Sequence, residues 1–125
     1  MIRVLLAEDD VELSMNIVEI LELEGFDVTA VSSAEQAIEA SGREHFDIAL
    51  LDLLMSGMTG VEAISNLRQN QAFLAVVIIT AYATVDTAVD AMKKGADSVM
   101  TKPFKGDELI VTVKRSLAEK QLLKS

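Results

Sequence analysis

The chain has 125 residues, half of them apolar and none of them cysteine, so it suits one domain with its own core and without disulfides or cysteine-based zinc sites. Eleven basic residues against twenty acidic ones give a net charge of −9, which repels phosphate backbones and argues against direct nucleic-acid binding by this domain. No apolar run approaches a membrane span, MIRVLLAEDD lacks the features of a signal peptide, and the absence of cysteine fits the cytoplasm, so we expect a cytoplasmic protein without membrane association.

The first forty residues predict two strand–helix units. Ile2–Ala7 is an almost unbroken apolar run, which is typical of a parallel strand covered on both faces. Val11–Glu24 has apolar residues at helical spacing, and we expect this stripe to face the core. The weaker run Phe26–Val31 predicts a strand nearer an edge, and Ser33 is an N-cap candidate for a helix over Ala34–Ala40. The stripe of the first helix consists of Val11, Met15, Val18 and Leu21.

The middle of the chain predicts two strands that are buried on both faces. Asp47–Leu51 and Ala75–Thr80 are nearly continuous in apolar residues, as expected for the interior of a parallel sheet. A helix over Gly60–Asn70 lies between them and carries apolar residues at helical spacing. This part of the chain therefore predicts a further strand–helix–strand unit.

The last third of the chain predicts two helices around a short strand. Thr84–Lys94 carries an i, i+3, i+4, i+7 apolar stripe, which we expect to face the sheet. Tyr82 and Ala91 lie off this stripe and suggest a modest partner surface. Ser98–Thr101 predicts a weaker, edge-proximal strand, and Gly106–Leu123 predicts the last helix. The stripe consists of Val85, Ala88, Val89 and Met92.

Polar residues follow four of the predicted strands. Because strands and helices alternate five times, the sequence predicts a parallel sheet with helices on both faces. In open sheets of this kind, ligands lie beyond the carboxyl ends of the strands, so these polar residues are expected to converge. The residues at the four strand ends are Glu8, Asp9 and Asp10, then Asp52, then Thr80, then Lys102.

The residue types at this edge favour metal and phosphoryl chemistry. Clustered carboxylates raise each other's pKa, and a hard divalent cation such as Mg²⁺ with oxygen ligands compensates for their charge. A lysine and a threonine hydroxyl supply donors for an anionic phosphoryl group, and a carboxylate beside a metal can act as the nucleophile. Taken singly, each residue has a plainer interpretation as a turn residue, a helix cap or a solvated charge. Their coincidence at four strand ends favours a site.

The same residues resemble the receiver domain of bacterial two-component response regulators, over nearly the whole chain. The segments that carry the resemblance are VLLAEDD, DIALLDLLMSGMTG, VVIITAYA and KKGADSVMTKPF. The resemblance implies an α/β fold with a doubly wound five-stranded parallel sheet, flavodoxin-like (βα)5, in strand order 2-1-3-4-5. Residues 1–125 would form the receiver, with any output domain absent from this chain. The stretch TAYATVDTAVDAMKKGADSVMTKPF is similar to receivers of the nitrogen-regulator type, which precede an ATPase domain acting with sigma-54.

The resemblance also implies a metal site and a phosphoacceptor. Asp52 would be the phosphoacceptor and a Mg²⁺ ligand, and Asp9 would bind Mg²⁺ directly. Glu8 would act mostly through water, and Leu54 would offer its backbone carbonyl to the metal, which leaves its side chain free to vary. The phosphoryl donor would be a sensor histidine kinase or a phosphotransfer protein.

A two-state switch is the third implication of the resemblance. The Thr80 hydroxyl would turn toward the phosphoryl group with small Ala81 leaving room, and Lys102 would pair with the same group. The Lys102–Pro103 peptide is often cis in the family, and Phe104 is the packing residue after it. The output face would comprise the helix from position 84, the fifth strand and the last helix. Its partner would be the protein's own output domain or a downstream protein, with homodimerisation as a further form of output.

Three positions differ from the common pattern or add to it. Val99 stands where the fifth strand usually carries Tyr or Phe, so the aromatic gate that swings with the threonine is in doubt. Ser56 stands where proline is common, which makes that loop less stiff. Tyr82, two residues after Thr80, is expected to shade the phosphoryl group from water and to slow self-dephosphorylation.

Three other functions share part of this pattern. Aspartate-nucleophile phosphatases also use Mg²⁺, but they carry a second acid two residues after the nucleophile, where this chain has Leu54. Nucleotide and flavin binders need a glycine- or hydroxyl-rich first turn, whereas AEDDVE is acidic. Phosphorylation-independent interaction modules of similar fold usually lose part of the acid–Asp–Thr–Lys set, which this chain keeps. The sequence therefore predicts a switch that catalyses only its own phosphorylation and slow dephosphorylation.

Overall fold

A computed structural model of the protein describes residues 1–124, with side chains as far as Gln121. It contains five strand–helix units in succession, as the sequence predicts. The elements are β1 (Arg3–Ala7), α1 (Val11–Leu23), β2 (Asp27–Val31), α2 (Ala34–Ser41), β3 (Ile48–Asp52), α3 (Gly60–Asn70), β4 (Ala75–Thr80), α4 (Val85–Lys93), β5 (Ser98–Thr101) and α5 (Gly106–Lys124). Among these helices, none is both long enough and apolar enough to cross a bilayer.

The strands form one parallel sheet in the order β2-β1-β3-β4-β5, so the predicted fold class and strand order are confirmed. Every residue of β3 and of β4 is buried, which agrees with their continuous apolar sequences. The two weaker runs, β2 and β5, lie at the edges. Hydroxyl and carboxylate side chains begin the helices: Asp10 caps α1, Ser33 caps α2 and Thr59 caps α3.

The core consists of two apolar layers, one on each side of the sheet. Alternate residues of a strand point to opposite faces, so Leu5 belongs to the layer covered by α2, α3 and α4. Its neighbours Val4 and Leu6 belong to the layer covered by α1 and α5. Both layers end where the strands end, so the polar residues at the carboxyl ends of β1, β3, β4 and β5 stand at one rim of the sheet.

The apolar stripe of α4 is oriented differently from the prediction. Val85 is 79% exposed and Met92 is 49% exposed, whereas Ala91, which the sequence places on a partner surface, is buried. The helix packs against the sheet through small side chains, and its larger apolar residues face solvent. The prediction for α4 was therefore wrong, because periodicity locates a stripe without telling which side of the helix is covered.

The first helix shows the same kind of departure in milder form. Leu21 is buried and Val18 is partly buried, as predicted, but Val11 and Met15 are about two-thirds exposed, at 69% and 68%. The core side of α1 is instead formed with Ile17, which is fully buried. The exposed residues lie at the N-terminal half of the helix, next to the rim of the sheet.

Charged side chains hold together the end of the sheet opposite this rim. The Arg68 guanidinium on α3 donates hydrogen bonds to the carbonyls of Leu74 and Gly95 and forms an ion pair with Asp97 at 2.8 Å. Asp97 also forms an ion pair of 3.2 Å with Lys120 of α5. One arginine and one aspartate thus join α3, the start of β4, the turn after α4 and α5.

Candidate functional site

The sheet register places two acidic residues side by side at the rim. Ala7 at the end of β1 pairs with Leu51 of β3, so Glu8 follows β1 beside Asp52, the last residue of β3. Both carboxylate-bearing residues are buried, with Glu8 3% and Asp52 5% exposed. The parallel topology therefore brings together residues that are far apart in the sequence.

Three carboxylates form an acidic cluster at this point. One carboxylate oxygen each of Glu8, Asp9 and Asp52 lie within 4.8 Å of one another, with Asp9 on the solvent side. Asp10, the third acid of the run, serves a different purpose, because its side chain accepts a hydrogen bond from Leu13 N–H and caps α1. Its own N–H donates to Glu8 Oε2 at 3.1 Å, which orients the Glu8 carboxylate.

Lys102 reaches the acidic cluster from the end of β5. Its Nζ lies 2.9 Å from Asp52 Oδ2 and 2.9 Å from Glu8 Oε1. Burial lowers the pKa of the Lys102 ammonium, but the contacts with the two carboxylates outweigh that effect, so the pKa is raised overall. The Lys102–Pro103 peptide is cis, and Lys102 N–H donates to Thr80 O at 2.8 Å. The ammonium is therefore charged and seated between two carboxylates.

The Glu8 carboxyl is destabilised in its ionised form. Burial, followed by the neighbouring Asp52, raises its pKa to about 7, against the lowering effects of Lys102 and of Asp10 N–H. Apart from the 2.9 Å ion pair with Lys102, the buried Glu8 Oε1 has no hydrogen-bond partner among the described residues. A buried carboxylate oxygen with spare acceptor capacity, grouped with two other carboxylates, fits a hard divalent cation such as Mg²⁺.

The loop between β3 and α3 wraps around Asp52. Leu54 N–H donates to Asp52 Oδ1 at 3.2 Å, and the Leu54 side chain is 54% exposed, while the role of the Leu54 carbonyl as a metal ligand stays a prediction. Gly60 begins α3 directly against Asp52, where an added Cβ would lie 2.6 Å from Asp52 O. Met58 N–H donates a hydrogen bond of 3.4 Å to Glu35 Oε2 of α2, which stabilises the outer side of the loop. Glu35 was not anticipated, because the contact joins residues 23 positions apart.

The remaining predicted residues lie around β4 and β5. Thr80 is buried, and its Oγ1 accepts a hydrogen bond from Tyr82 N–H at 3.0 Å, so the hydroxyl is engaged within its own loop. Ala81 and Tyr82 are exposed. Val99 packs partly buried against the core layer under α4. On the other face Phe104 packs partly buried, and Pro103 is exposed.

Threonine hydroxyls at the start of α4 add contacts that the sequence did not reveal. Thr84 caps the helix and forms a capping box with Thr87. The Thr87 hydroxyl also lies 3.2 Å from the carbonyl of Tyr82. A capping box usually has Glu or Gln at the position of Thr87, so the usual pattern could not have found it.

Comparison with known proteins gives a consistent result. A family model described as "Response regulator receiver domain" matches residues 4–114. The chain is 37% identical over 120 residues to the alginate biosynthesis transcriptional regulatory protein AlgB of Pseudomonas aeruginosa, covering 96% of this chain and 27% of that protein. The chain thus spans about a quarter of the length of this relative.

Solved structures of response regulators superpose closely on this chain. A CheY-like response regulator receiver domain protein from Methanospirillum hungatei superposes with a TM-score of 0.91 at 26% identity, covering 97% of both chains. NtrX from Brucella abortus superposes with a TM-score of 0.91 at 28% identity, covering 99% of this chain and 29% of NtrX. The matches to AlgB and NtrX are consistent with a receiver of the nitrogen-regulator type. By its sequence, its strand order and the acidic rim of its sheet, the chain belongs to the family of response regulator receiver domains.

Proposed function

We propose that this domain is a phosphorylation-dependent switch in which Asp52 accepts a phosphoryl group in the presence of Mg²⁺. One observation carries the proposal: the Asp52 carboxylate is grouped with Glu8 and Asp9 within 4.8 Å and faces the Lys102 ammonium at 2.9 Å. This arrangement offers a nucleophile, oxygen ligands for a cation and a positive charge for an incoming anion. Such a grouping has little purpose in a purely structural core, because buried carboxylates destabilise a fold.

The transfer reaction is a displacement at phosphorus. An oxygen of the Asp52 carboxylate forms a bond to phosphorus while the bond from phosphorus to the donor's leaving group breaks. The leaving group keeps the electron pair: the imidazole of a phosphohistidine takes up a proton, and acetyl phosphate releases acetate. The product is an acyl phosphate on Asp52, which adds nearly two negative charges at the rim.

The residues around Asp52 have separate tasks in this reaction. Glu8, Asp9, Asp52 and the Leu54 carbonyl would hold Mg²⁺, which supplies positive charge beside the phosphoryl oxygens. Lys102 contacts Asp52 before the reaction and is placed to pair with a phosphoryl oxygen after it. Leu54 stands where an aspartate-nucleophile phosphatase has its second acid, so hydrolysis of the acyl phosphate is slow and the domain acts as a switch rather than an enzyme.

The signal leaves the site through Thr80. Turning its hydroxyl toward the phosphoryl group breaks the hydrogen bond with Tyr82 N–H and moves the loop that leads into α4. The output face then consists of α4, β5 and α5, and it is rich in exposed apolar side chains. Those exposed by 45% or more are Val85, Val89, Met92 and Val111, and Tyr82 in the loop that leads into α4 is exposed as well.

The partners follow from the size and family of the chain. A sensor histidine kinase or a phosphotransfer protein would supply the phosphoryl group. Residues 1–125 would act as the receiver of a longer regulator, as suggested by the 27% of AlgB that the chain spans, and its output would be transcriptional control. A homodimer on the output face is a further form of the same response, whereas the charge of −9 disfavours direct contact of this domain with nucleic acid.

Beryllofluoride, which mimics a phosphoryl group, gives the direct test. Tyr82 is the only tyrosine and tryptophan is absent, so tyrosine fluorescence reports on the switch loop without a label. We expect a Mg²⁺-dependent fluorescence change and, with acetyl phosphate, a mass increase of one phosphoryl group. Both should be lost in Asp52→Asn and kept in the matched control Asp107→Asn, an exposed residue at the start of α5. A phosphoryl adduct that persists in Asp52→Asn would refute the assignment.

A further inference from the structure

The hydroxyl of Thr87 lies at a junction between the switch loop and α4. Thr87 is the third residue of α4, and its Oγ1 accepts a hydrogen bond from Thr84 N–H at 2.8 Å. The same oxygen lies 3.0 Å from Thr84 O and 3.2 Å from Tyr82 O. The proposed phosphorylation switch assigns roles to Thr80, Lys102 and the acidic cluster, but it assigns none to these Thr87 contacts.

Tyr82 is held on both sides of its backbone. Its N–H donates to the buried hydroxyl of Thr80, and its carbonyl is a hydrogen-bond acceptor for Thr87. One residue therefore connects the side chain that would respond to a phosphoryl group with the first turn of α4. Since the Tyr82 side chain is 69% exposed, few other contacts fix this part of the loop.

The Thr87 hydroxyl can release the Tyr82 carbonyl reversibly, because its single proton has other acceptors nearby. A threonine hydroxyl carries one proton, so Thr87 donates fully to only one of three neighbouring oxygens, which are Tyr82 O, Thr84 O and Thr84 Oγ1 at 3.2 Å. When it donates to Tyr82 O, the loop is tied to α4. When the loop moves away, the proton turns to Thr84 O, and the helix start keeps its hydrogen bonds.

We propose that Thr87 is a positioning residue that latches the Thr80 loop in its resting position through the carbonyl of Tyr82. The latch opposes inward movement of Thr80 and therefore sets how readily the domain responds to a phosphoryl group. It rests on the proposed function only in this second respect, because the tie between α4 and the loop exists without any ligand.

Thr84 provides a matched control in the same turn. Its Oγ1 accepts from Thr87 N–H at 3.1 Å, caps the helix and lies 3.2 Å from the Thr87 hydroxyl, but no hydrogen bond joins it to Tyr82 among the described residues. Thr84→Val weakens the start of α4 without removing the latch hydroxyl. Thr87→Val removes the hydroxyl at nearly constant shape, and Thr87→Ser keeps it.

Binding of beryllofluoride with Mg²⁺, followed by Tyr82 fluorescence, separates these variants. A net hydrogen bond at an exposed position corresponds to about a two- to tenfold change in an equilibrium, so Thr87→Val should bind about two- to tenfold more tightly than wild type. Thr87→Ser should match wild type, and Thr84→Val should show no gain. Unchanged or weaker binding by Thr87→Val, or an equal gain in Thr84→Val, would overturn the latch.

A second measurement needs no phosphoryl analogue. Amide hydrogen exchange of Tyr82 N–H, followed by NMR in the absence of ligand, should be about two- to tenfold faster in Thr87→Val and unchanged in Thr87→Ser. Equal exchange in wild type and Thr87→Val refutes the latch. If the wild-type protein fails to bind beryllofluoride, the proposed function fails, and the exchange rates still decide the role of Thr87.

Discussion

Replacing Glu8 by glutamine should stabilise the metal-free protein at alkaline pH. Glu8 is buried beside Asp52, and its pKa is raised from 4.5 to about 7. The folded chain therefore binds this proton more tightly than the unfolded chain does. The associated stability is complete below pH 4.5 and is lost as the pH rises from 4.5 through about 7. Glutamine is uncharged at every pH and should escape this loss.

The size of the effect follows from the same two values. A tenfold change in a protonation equilibrium corresponds to about 1.4 kcal/mol, so the interval from 4.5 to about 7 amounts to about 3 kcal/mol. Part of this stabilisation is already lost at pH 5, because the Glu8 carboxyl of the unfolded chain is then largely ionised. Between about pH 5 and about pH 8, Glu8→Gln should therefore gain about 2–3 kcal/mol of unfolding free energy over wild type.

Urea unfolding monitored by far-UV circular dichroism, with a chelator present, measures this difference at each pH. Glu19→Gln, at an exposed position of α1, is the control and should track wild type. Adding Mg²⁺ at about pH 8 should stabilise wild type more than Glu8→Gln, because the cation binds the ionised cluster of the folded chain. A Glu8→Gln advantage that is the same at both pH values would refute the electrostatic reasoning.

Three further outcomes are expected. Lys102→Met leaves the buried carboxylates of Glu8 and Asp52 without a cation. In the metal-free protein at about pH 8 it should lower the free energy of unfolding by about 3 kcal/mol, measured by urea unfolding. An unchanged free energy of unfolding would contradict the ion pairs. Tyr82→Ala should lose the phosphoryl group from Asp52 faster, measured by the decay of the acyl phosphate, and an unchanged decay rate would contradict shading from water. Gly60→Ala should lower the free energy of unfolding by about 1–3 kcal/mol, measured by urea unfolding, because its Cβ would lie 2.6 Å from Asp52 O. An unchanged free energy of unfolding would contradict that close approach.

Most of the fold could be predicted from the sequence because its signals are local and agree with one another. Continuous apolar runs located β1, β3 and β4, and the alternation of strands and helices predicted a parallel sheet. Caps such as Ser33 fixed helix starts within a residue or two. The acidic cluster could be anticipated as well, since the carboxyl ends of parallel strands meet at one rim.

The features that escaped prediction depend on packing or on backbone contacts between distant residues. The apolar stripe of α4 has clear periodicity, yet only the packing of Ala91 against the sheet decides that Val85 faces solvent. The tie between Glu35 and the loop after Asp52 joins separate elements, and the Thr87 contact uses a backbone carbonyl. Residue types alone carry no signal for such partners.

The anchoring of α4 is asymmetric, and this has a mechanical consequence. Arg68 pins the residue just beyond its C-terminus, whereas its N-terminus is joined to the loop by exposed hydroxyl contacts. At a rise of about 1.5 Å per residue, Val85 stands roughly 15 Å from the pin at Gly95 and Met92 roughly 4.5 Å. A tilt about that pivot sweeps Val85 about three times as far as Met92. A partner bound at Val85 would therefore be displaced about three times as far as one bound at Met92.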